Sequence, residues 1–304
     1  MTHALLRTGL TLASAMLASV ALVATTSQTQ VATAAPVVAP SFANQKTLVD
    51  ADFNSTKRGA VDPKSFQKQV GWASPHRGAY AGMSYRKDYR HGGGNVVRTK
   101  LAAGKFIASS GEGRGNVLPI RLPGSWDSAC MSYDVRFAAP FDFSAGGKLP
   151  GFVGVAPGTS PSAPEGGGST AHGWSGRLMW LGPKVWKFVR DAHKENIVVT
   201  YLYHPGQERK FGDNVSWGST FVAGQWHNVR QCHTMNTIGK ADGVLQTWFD
   251  GRLVMSDTHV VYRTDPNVHI THFDWSIFRG GAEANWAGSK TGYVDLDNLK
   301  ITVG

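Results

Sequence analysis

The sequence predicts an all-β fold, and three observations support this class. Segments in which apolar and polar residues alternate are frequent, whereas helical periodicity is nearly absent. The chain contains 36 glycines and 10 tryptophans, a composition typical of turn-rich β proteins. An Asp250-Gly251 pair separates two alternating segments, and this dipeptide is a strong β-hairpin signal.

Alternating segments predict strands along the second half of the chain. Residues 130–137 and 197–203 each predict one strand, and residues 244–254 predict the two strands of the hairpin. Residues 293–301 predict a last strand that closes the sheet. Between these strands, residues 155–173 are rich in Gly, Pro and Ser and predict a long loop, which is often functional in a compact domain.

The order of two motifs narrows the fold class. Gly224-Gln-Trp-His227 is followed by the Asp250-Gly251 hairpin, and this pairing resembles the concanavalin-like β-jelly-roll sandwich of two curved antiparallel sheets. The concave sheet of such a sandwich forms a groove that suits an extended sugar chain. Because one fold hosts many functions, the resemblance predicts architecture alone.

The N-terminal residues predict export. Residues 1–34 combine the positive Arg7, an apolar run over 10–23 and small residues at Ala32-Thr33-Ala34, as a secretory signal does. The apolar run is shorter than the roughly 20 residues that a spanning helix needs, which favours a signal over a membrane anchor. We therefore expect a linker over residues 35–46 and a single extracellular, monomeric domain over 47–304.

Net charge and cysteine content indicate which substrates, metals and cross-links to expect. The net charge of +10 attracts polyanions, but no nucleic-acid-binding signature accompanies it, so export points to an acidic polysaccharide. Neither a C-x-x-C nor an H-E-x-x-H spacing occurs, and we expect no metal and no cofactor. Cys130 and Cys232 are compatible with a disulfide in an oxidising compartment or with two buried thiols.

Strand alternation predicts which polar side chains share a face. Over residues 174–180 it directs Ser175 and Arg177 to one face and the apolar residues to the other. Over residues 200–204 it directs Tyr201 and Tyr203 to a common face. The alternative for the tyrosines is an amphipathic surface or a core role. Lys148 by itself is most simply a solvated surface lysine.

Taken together, these residue types suit β-elimination from a uronic acid. A fixed Arg neutralises the sugar carboxylate, a base removes the C5 proton, and an acid protonates the C4 oxygen that leaves. Tyr and Lys have ordinary pKa values near 10, and we expect a cationic groove to lower them. Hydrolysis would instead need two carboxylates about 5–9 Å apart, and no local acidic cluster predicts such a pair.

The motifs in this order resemble polysaccharide lyase family 14, whose members act on alginate and on glucuronate polymers. The resemblance rests on Lys148-Leu-Pro-Gly151, Ser175-Gly-Arg-Leu-Met-Trp180 and Tyr201-Leu-Tyr203, followed by Phe278-Arg-Gly-Gly281. It implies a catalytic set of one lysine, one serine, one arginine and two tyrosines, namely Lys148, Ser175, Arg177, Tyr201 and Tyr203.

Two further residues are predicted to contact substrate. His172 ends the long loop near Ser175 and could serve as a base, the alternative being a loop histidine without a role. Arg279 stands where the family commonly has an aromatic residue. The competing functions are a noncatalytic glycan-binding module on the same sandwich and a hydrolase, and the second is disfavoured by the missing carboxylate pair.

Overall fold

The computed structural model describes most of the chain after the predicted linker. The described residues are 45–71, 77–88, 92–185, 187, 189, 191–207 and 209–304. They belong to one compact unit, Phe42–Gly304. The predicted signal and residues 35–44 of the predicted linker lie outside them, and β1 begins at Lys46, one residue before the predicted domain start.

The described residues form fifteen strands and one short α-helix. The strands are β1 (Lys46–Ala51), β2 (Gly59–Ala60), β3 (Met83–Lys87), β4 (Asn95–Leu101), β5 (Asn116–Trp126), β6 (Ser128–Phe137), β7 (Gly146–Val155), β8 (Gly173–Leu181), β9 (Ile197–Tyr203), β10 (Asp213–Thr220), β11 (Trp226–Thr234), β12 (Gly243–Phe249), β13 (Arg252–Val260), β14 (His269–Arg279) and β15 (Gly292–Val303). The helix is α1 (Pro63–Val70).

The strands form two antiparallel sheets, which confirms the predicted all-β jelly-roll sandwich. The larger sheet has the order β13-β12-β11-β6-β15-β4-β3-β2, with β1 also paired to β15. The smaller sheet has the order β10-β9-β8-β7-β14-β5. One face of each sheet supplies the apolar core, as expected for a sandwich.

The core confirms the predicted alternation in β8. Trp174, Leu178 and Trp180 are fully buried in the core between the sheets. Since successive side chains of a strand point to opposite faces, Ser175 and Arg177 lie on the other face of the smaller sheet. The apolar pattern of this one strand therefore orients two candidate site residues.

Helix α1 is an element that the alternation pattern did not predict. Asp62 caps it, because its carboxylate accepts a hydrogen bond from the Ser65 N–H at 3.1 Å. Pro63 occupies the first turn, where its missing N–H costs nothing. Phe66 then packs edge-on against Trp275 with ring centroids 5.1 Å apart, so the helix covers one end of the core.

The predicted hairpin and last strand are both present. Asp250 and Gly251 have φ values of 50° and 79° and connect β12 to β13, as a type I′ turn requires. β15 pairs with both β6 and β4, so it lies inside the larger sheet and not at an edge. Cys130 and Cys232 lie opposite each other on β6 and β11 and form a disulfide.

Residues 156–172 join β7 to β8 and contain no strand or helix, in agreement with the long loop predicted there. We call this segment the cavity loop. Among the described residues, none of the helices has the length and apolar character needed to cross a membrane.

Candidate active site

A cavity of about 560 Å³ opens on the smaller sheet beside the cavity loop. We call it the site cavity. Its lining combines cationic, phenolic, acidic and apolar side chains: Ile107, Val117, Lys148, Ser162, Glu165, Gly166, Arg177, Tyr201, Tyr203, Phe211, Phe278, Gly281, Ala282, Glu283 and Trp286. Four of the five predicted catalytic residues are among them, and the fifth, Ser175, lies beneath the cavity loop.

Cross-strand register brings these residues together. Arg177 on β8 lies opposite Tyr201 on β9 and opposite Gly151 on β7. Two residues along, Ser175 lies opposite Tyr203. Residues directly opposite each other on antiparallel strands have neighbouring side chains, so the two predicted pairs form adjacent rows on one face.

An irregularity in β7 brings Lys148 to the same face. The pairing of β7 with β8 shifts between Lys148 and Gly151. The Lys148 ammonium nitrogen, Nζ, lies 3.8 Å from the centre of the Tyr201 ring and 2.9 Å from Met179 Sδ. Bulges of this kind re-aim side chains next to active sites. Lys148 is therefore a buried residue of the site cavity and not the solvated surface lysine of the alternative interpretation.

Burial makes Lys148 unusually ready to lose its proton. Desolvation lowers its pKa well below 10.5, and the positive charge of Arg177 acts in the same direction, while Glu165 opposes both. The lowering itself was expected from the sequence, but its largest cause is burial and not the charge of the groove.

The two tyrosines form a perpendicular pair. Their ring centroids are 5.3 Å apart and their hydroxyl oxygens 3.4 Å apart. Burial raises the pKa of Tyr201 well above 10, and its hydrogen bond and charge interaction with Tyr203 raise it further, against a smaller lowering by Arg177. The expectation that the groove lowers tyrosine pKa values is therefore wrong for Tyr201, which keeps its phenolic proton.

Two carboxylates that no sequence pattern predicted also reach the site. Glu165 from the cavity loop places Oε1 3.2 Å from Arg177 Nη1, and Asp274 on β14 places Oδ2 3.8 Å from the same nitrogen. The two carboxyl groups are also hydrogen-bonded to each other. The prediction that the chain has no carboxylate pair is therefore wrong for the folded protein.

This acidic pair does not have the geometry of a glycosidase. A hydrolase needs two separate carboxyl groups that flank the scissile bond, about 5–9 Å apart. Here the two groups contact each other and one guanidinium. Burial raises the pKa of Glu165 to about 7, and the nearby Asp274 adds to the rise while Arg177 opposes it. Asp274, also buried, has a raised pKa as well.

Ser175 is fully buried beneath the cavity loop. Its hydroxyl donates a hydrogen bond to the Pro164 carbonyl at 2.8 Å. The structure thus brings Ser175 into the same row as Tyr203 but engages its hydroxyl with the loop backbone.

His172 lies apart from the other predicted residues. Its ring nitrogen Nδ1 pairs with Asp265 at 2.8 Å, its side chain is 67% exposed, and it does not line the site cavity. The cause is its position at the end of the cavity loop, where the chain has not yet entered the sheet. The structure does not bring it to the other predicted residues.

Arg279 lies on the wrong face for contact with a substrate in the site cavity. Phe278 lines the cavity, and Arg279, the next residue of β14, points the other way. Its guanidinium stacks 4.9 Å from the Phe141 ring centre and donates a hydrogen bond to the Asp142 carbonyl at 2.6 Å. The prediction that Arg279 contacts substrate there is corrected by the phase of the strand.

A second cavity of about 900 Å³ lies elsewhere on the domain, between residues 141–144 and 193–196 and next to residues 220–223. It contains none of the predicted site residues. Among the residues described, no group of three or more His, Cys, Asp or Glu side chains is arranged to hold a metal ion.

A protein-family match covers most of the chain. The sequence profile of polysaccharide lyase 14 matches residues 90–299. No curated protein sequence matches the chain.

Solved structures show the same fold. The PL-14 alginate lyase from Aplysia kurodai superposes with a TM-score of 0.69 at 22% identity, over 85% of this chain and 100% of that one. The alginate lyase Aly36B gives 0.66 at 22% identity, over 83% and 95%. An endo-β-1,4-glucuronan lyase from the fungus Trichoderma reesei gives 0.53 at 13% identity, over 84% and 94%.

Proposed function

This chain belongs to polysaccharide lyase family 14, and on that premise we propose that it is exported and cleaves an acidic polyuronate, of the alginate or glucuronan type, by β-elimination. Family membership makes the chain a polysaccharide lyase and removes the noncatalytic glycan-binding module as an alternative. The single observation that carries the proposed chemistry is the contact of Lys148 with the Tyr201 ring beside Arg177, inside one cavity.

The substrate class is supported from two sides. Structures of Aly36B contain alginate tetrasaccharide or trisaccharide in variants that lack a lysine together with a tyrosine or a methionine. Those residue types are the ones that meet here around Lys148, with Tyr201 and Met179 as its neighbours. The net charge of +10 further favours a polyanion, since a basic protein concentrates acidic chains at its surface.

In the proposed mechanism, Arg177 binds the carboxylate attached to C5 of the sugar. Its side chain is 3% exposed, so the attraction acts where it is largely shielded from bulk solvent and is stronger than in water. Neutralising the carboxylate makes the C5 proton more acidic and stabilises the charge that develops when this proton leaves.

Lys148 acts as the base and Tyr201 as the acid. Burial lowers the pKa of Lys148, which gives a neutral amine able to accept the C5 proton. Burial raises the pKa of Tyr201, which keeps a proton to donate to the C4 oxygen. The C5–H and C4–O bonds break, a C4–C5 double bond forms, and the leaving chain carries the tyrosine proton. Tyr203 orients the sugar in the adjacent row, and Ser175 joins it only when its hydroxyl is released from the Pro164 carbonyl.

The proposal is tested by incubating the mature protein separately with alginate, glucuronan and a neutral glucan. Elimination creates an unsaturated uronate, so we expect ultraviolet absorbance to rise with a polyuronate and not with the glucan. New reducing ends without that absorbance would indicate hydrolysis and refute the proposed reaction.

Two pairs of variants test the roles. Lys148→Ala and Tyr201→Phe should each lower kcat by at least about 100-fold, within the range of general acid–base catalysis, while the circular dichroism spectrum stays unchanged. The matched controls are Lys240→Ala, in an exposed loop, and Tyr293→Phe, on the larger sheet, and both should retain activity. Full activity in Lys148→Ala would refute the assignment of the base.

A further inference from the structure

The cavity loop contacts the candidate site at three successive points. The Pro164 carbonyl accepts a hydrogen bond from Ser175, the Glu165 carboxylate pairs with Arg177, and the Gly167 N–H donates to the Tyr203 hydroxyl at 3.0 Å. Each partner is one of the five predicted catalytic residues. The loop therefore occupies hydrogen-bonding positions that a sugar would otherwise use.

Glu165 stands where the substrate carboxylate is needed. It brings a carboxylate to Nη1 of Arg177 at 3.2 Å, the same kind of contact that a uronate makes with a guanidinium. Arg177 Nε is buried and has no hydrogen-bond partner in the described structure. The guanidinium thus holds an internal carboxylate and retains a free donor.

The charge balance requires one carboxylate to leave when the substrate enters. In the proposed mechanism Lys148 is a neutral amine, so Arg177 is the cation that faces Glu165 and Asp274, and its charge is already matched by Glu165. A third carboxylate in this buried volume would face uncompensated repulsion. Asp274 belongs to β14, which is paired on both sides within the smaller sheet, and accepts a hydrogen bond from Ser276, whereas Glu165 belongs to a loop. Glu165 is the group that can move.

The loop itself is built to release Glu165. Three glycines follow directly, and two of them, Gly166 and Gly167, have φ values of 59° and 86°. Most loop residues are exposed or half-buried, and within 156–172 the buried residues are Ala156 and Pro164. A segment with few buried contacts opens at a small cost in free energy. The His172–Asp265 pair then holds the far end of the cavity loop to the connection between β13 and β14.

We propose that Glu165 is a specificity-determining residue that occupies Arg177 in place of the substrate carboxylate, so that only a sugar bearing its own carboxylate displaces it. This inference rests on the proposed function, because it assumes that Arg177 binds a uronate. Glu165 competes with the substrate and takes no part in proton transfer.

The test compares steady-state kinetics of Glu165→Gln with those of the wild type and of Glu195→Gln. Glu195 is an exposed carboxylate outside the site cavity, which makes it a matched control. Removing the competing charge should lower KM for the polyuronate by at least threefold and leave kcat within fivefold, whereas Glu195→Gln should change neither. Glu165→Ala provides a second variant in case the glutamine keeps a hydrogen bond to Arg177.

Each other outcome overturns the inference. An unchanged or higher KM in both Glu165 variants would show that Glu165 does not compete with substrate. A fall in kcat beyond fivefold would show that it belongs to the proton-transfer machinery. If the wild type produces no unsaturated uronate from any polyuronate, the proposed function itself fails, and this result is recognised before any variant is compared.

Discussion

Gly151 offers a probe of how accurately the smaller sheet positions Arg177. It lies between Arg177 on β8 and Asp274 on β14. Its backbone is outside the left-handed region, so its own conformation allows alanine, and any clash comes from neighbouring residues. A Cβ atom on Gly151 would lie 2.2 Å from the Gly176 carbonyl oxygen and 2.4 Å from Arg177 Cα. Gly151→Ala therefore forces β7 and β8 apart at the site.

The size of the effect follows from these distances. Restoring van der Waals separation needs a movement of about 1 Å, because non-bonded atoms settle near 3.5 Å. A misplacement of about 1 Å can lower activity by roughly 100-fold. Overpacking of this kind costs about 1–3 kcal/mol in the free energy of unfolding. We expect a folded but weakened protein whose kcat/KM falls by about two orders of magnitude.

The assay is ultraviolet detection of product, run well below the midpoint of thermal unfolding of the variant. Gly78→Ala is the matched control, since a Cβ there meets nothing within 4 Å and Gly78 is exposed. The control should keep kcat/KM within about twofold of the wild type. A Gly151→Ala enzyme that is also within threefold of the wild type would refute the link between strand spacing and catalysis.

Three further predictions concern stability. Replacing Cys130 and Cys232 together by alanine removes a cross-link between residues separated by 102 positions. The free energy of unfolding, measured by urea unfolding, should fall by up to about 4.7 kcal/mol. An unchanged midpoint of urea unfolding would contradict this prediction. Arg279→Met should lower the free energy of unfolding by about 1–3 kcal/mol, because the Asp142 carbonyl loses its hydrogen bond. A rise in KM of more than fivefold would instead indicate that Arg279 contacts substrate. Burial raises the pKa of Glu165 from 4.5 to about 7, so the folded state binds more protons than the unfolded state between these values. This stabilisation is complete below pH 4.5 and is lost as pH rises toward 7. Glu165→Gln should therefore reduce the fall in the free energy of unfolding over this pH range, as urea unfolding would measure. An equal fall in the variant and the wild type would refute the prediction.

Part of the candidate site was predictable because it follows a local rule. Alternation along β8 and β9 assigned Ser175 with Arg177, and Tyr201 with Tyr203, to shared faces, and the sheet register confirms both pairs. The same rule could have shown that Arg279 lies opposite to Phe278 on β14.

The remaining site residues depend on contacts that no local pattern carries. Lys148 reaches Tyr201 through a register shift in β7, and the sequence suggested this placement only by resemblance to a family. Glu165 and Asp274 lie far apart in the chain, the first in the cavity loop and the second in β14. They meet at Arg177 only because the cavity loop folds back over β8.

The sequence by itself determined the all-β class, the hairpin at Asp250-Gly251, the family and the faces of the paired strands. These features depend on the period of two along a strand or on short motifs, so they are written in neighbouring residues. The tertiary structure alone decided that Lys148 is buried, that Tyr201 keeps its proton, and that Glu165 occupies Arg177. Each of these depends on desolvation and on charges from distant segments, which exist only after the two sheets and the loop have come together.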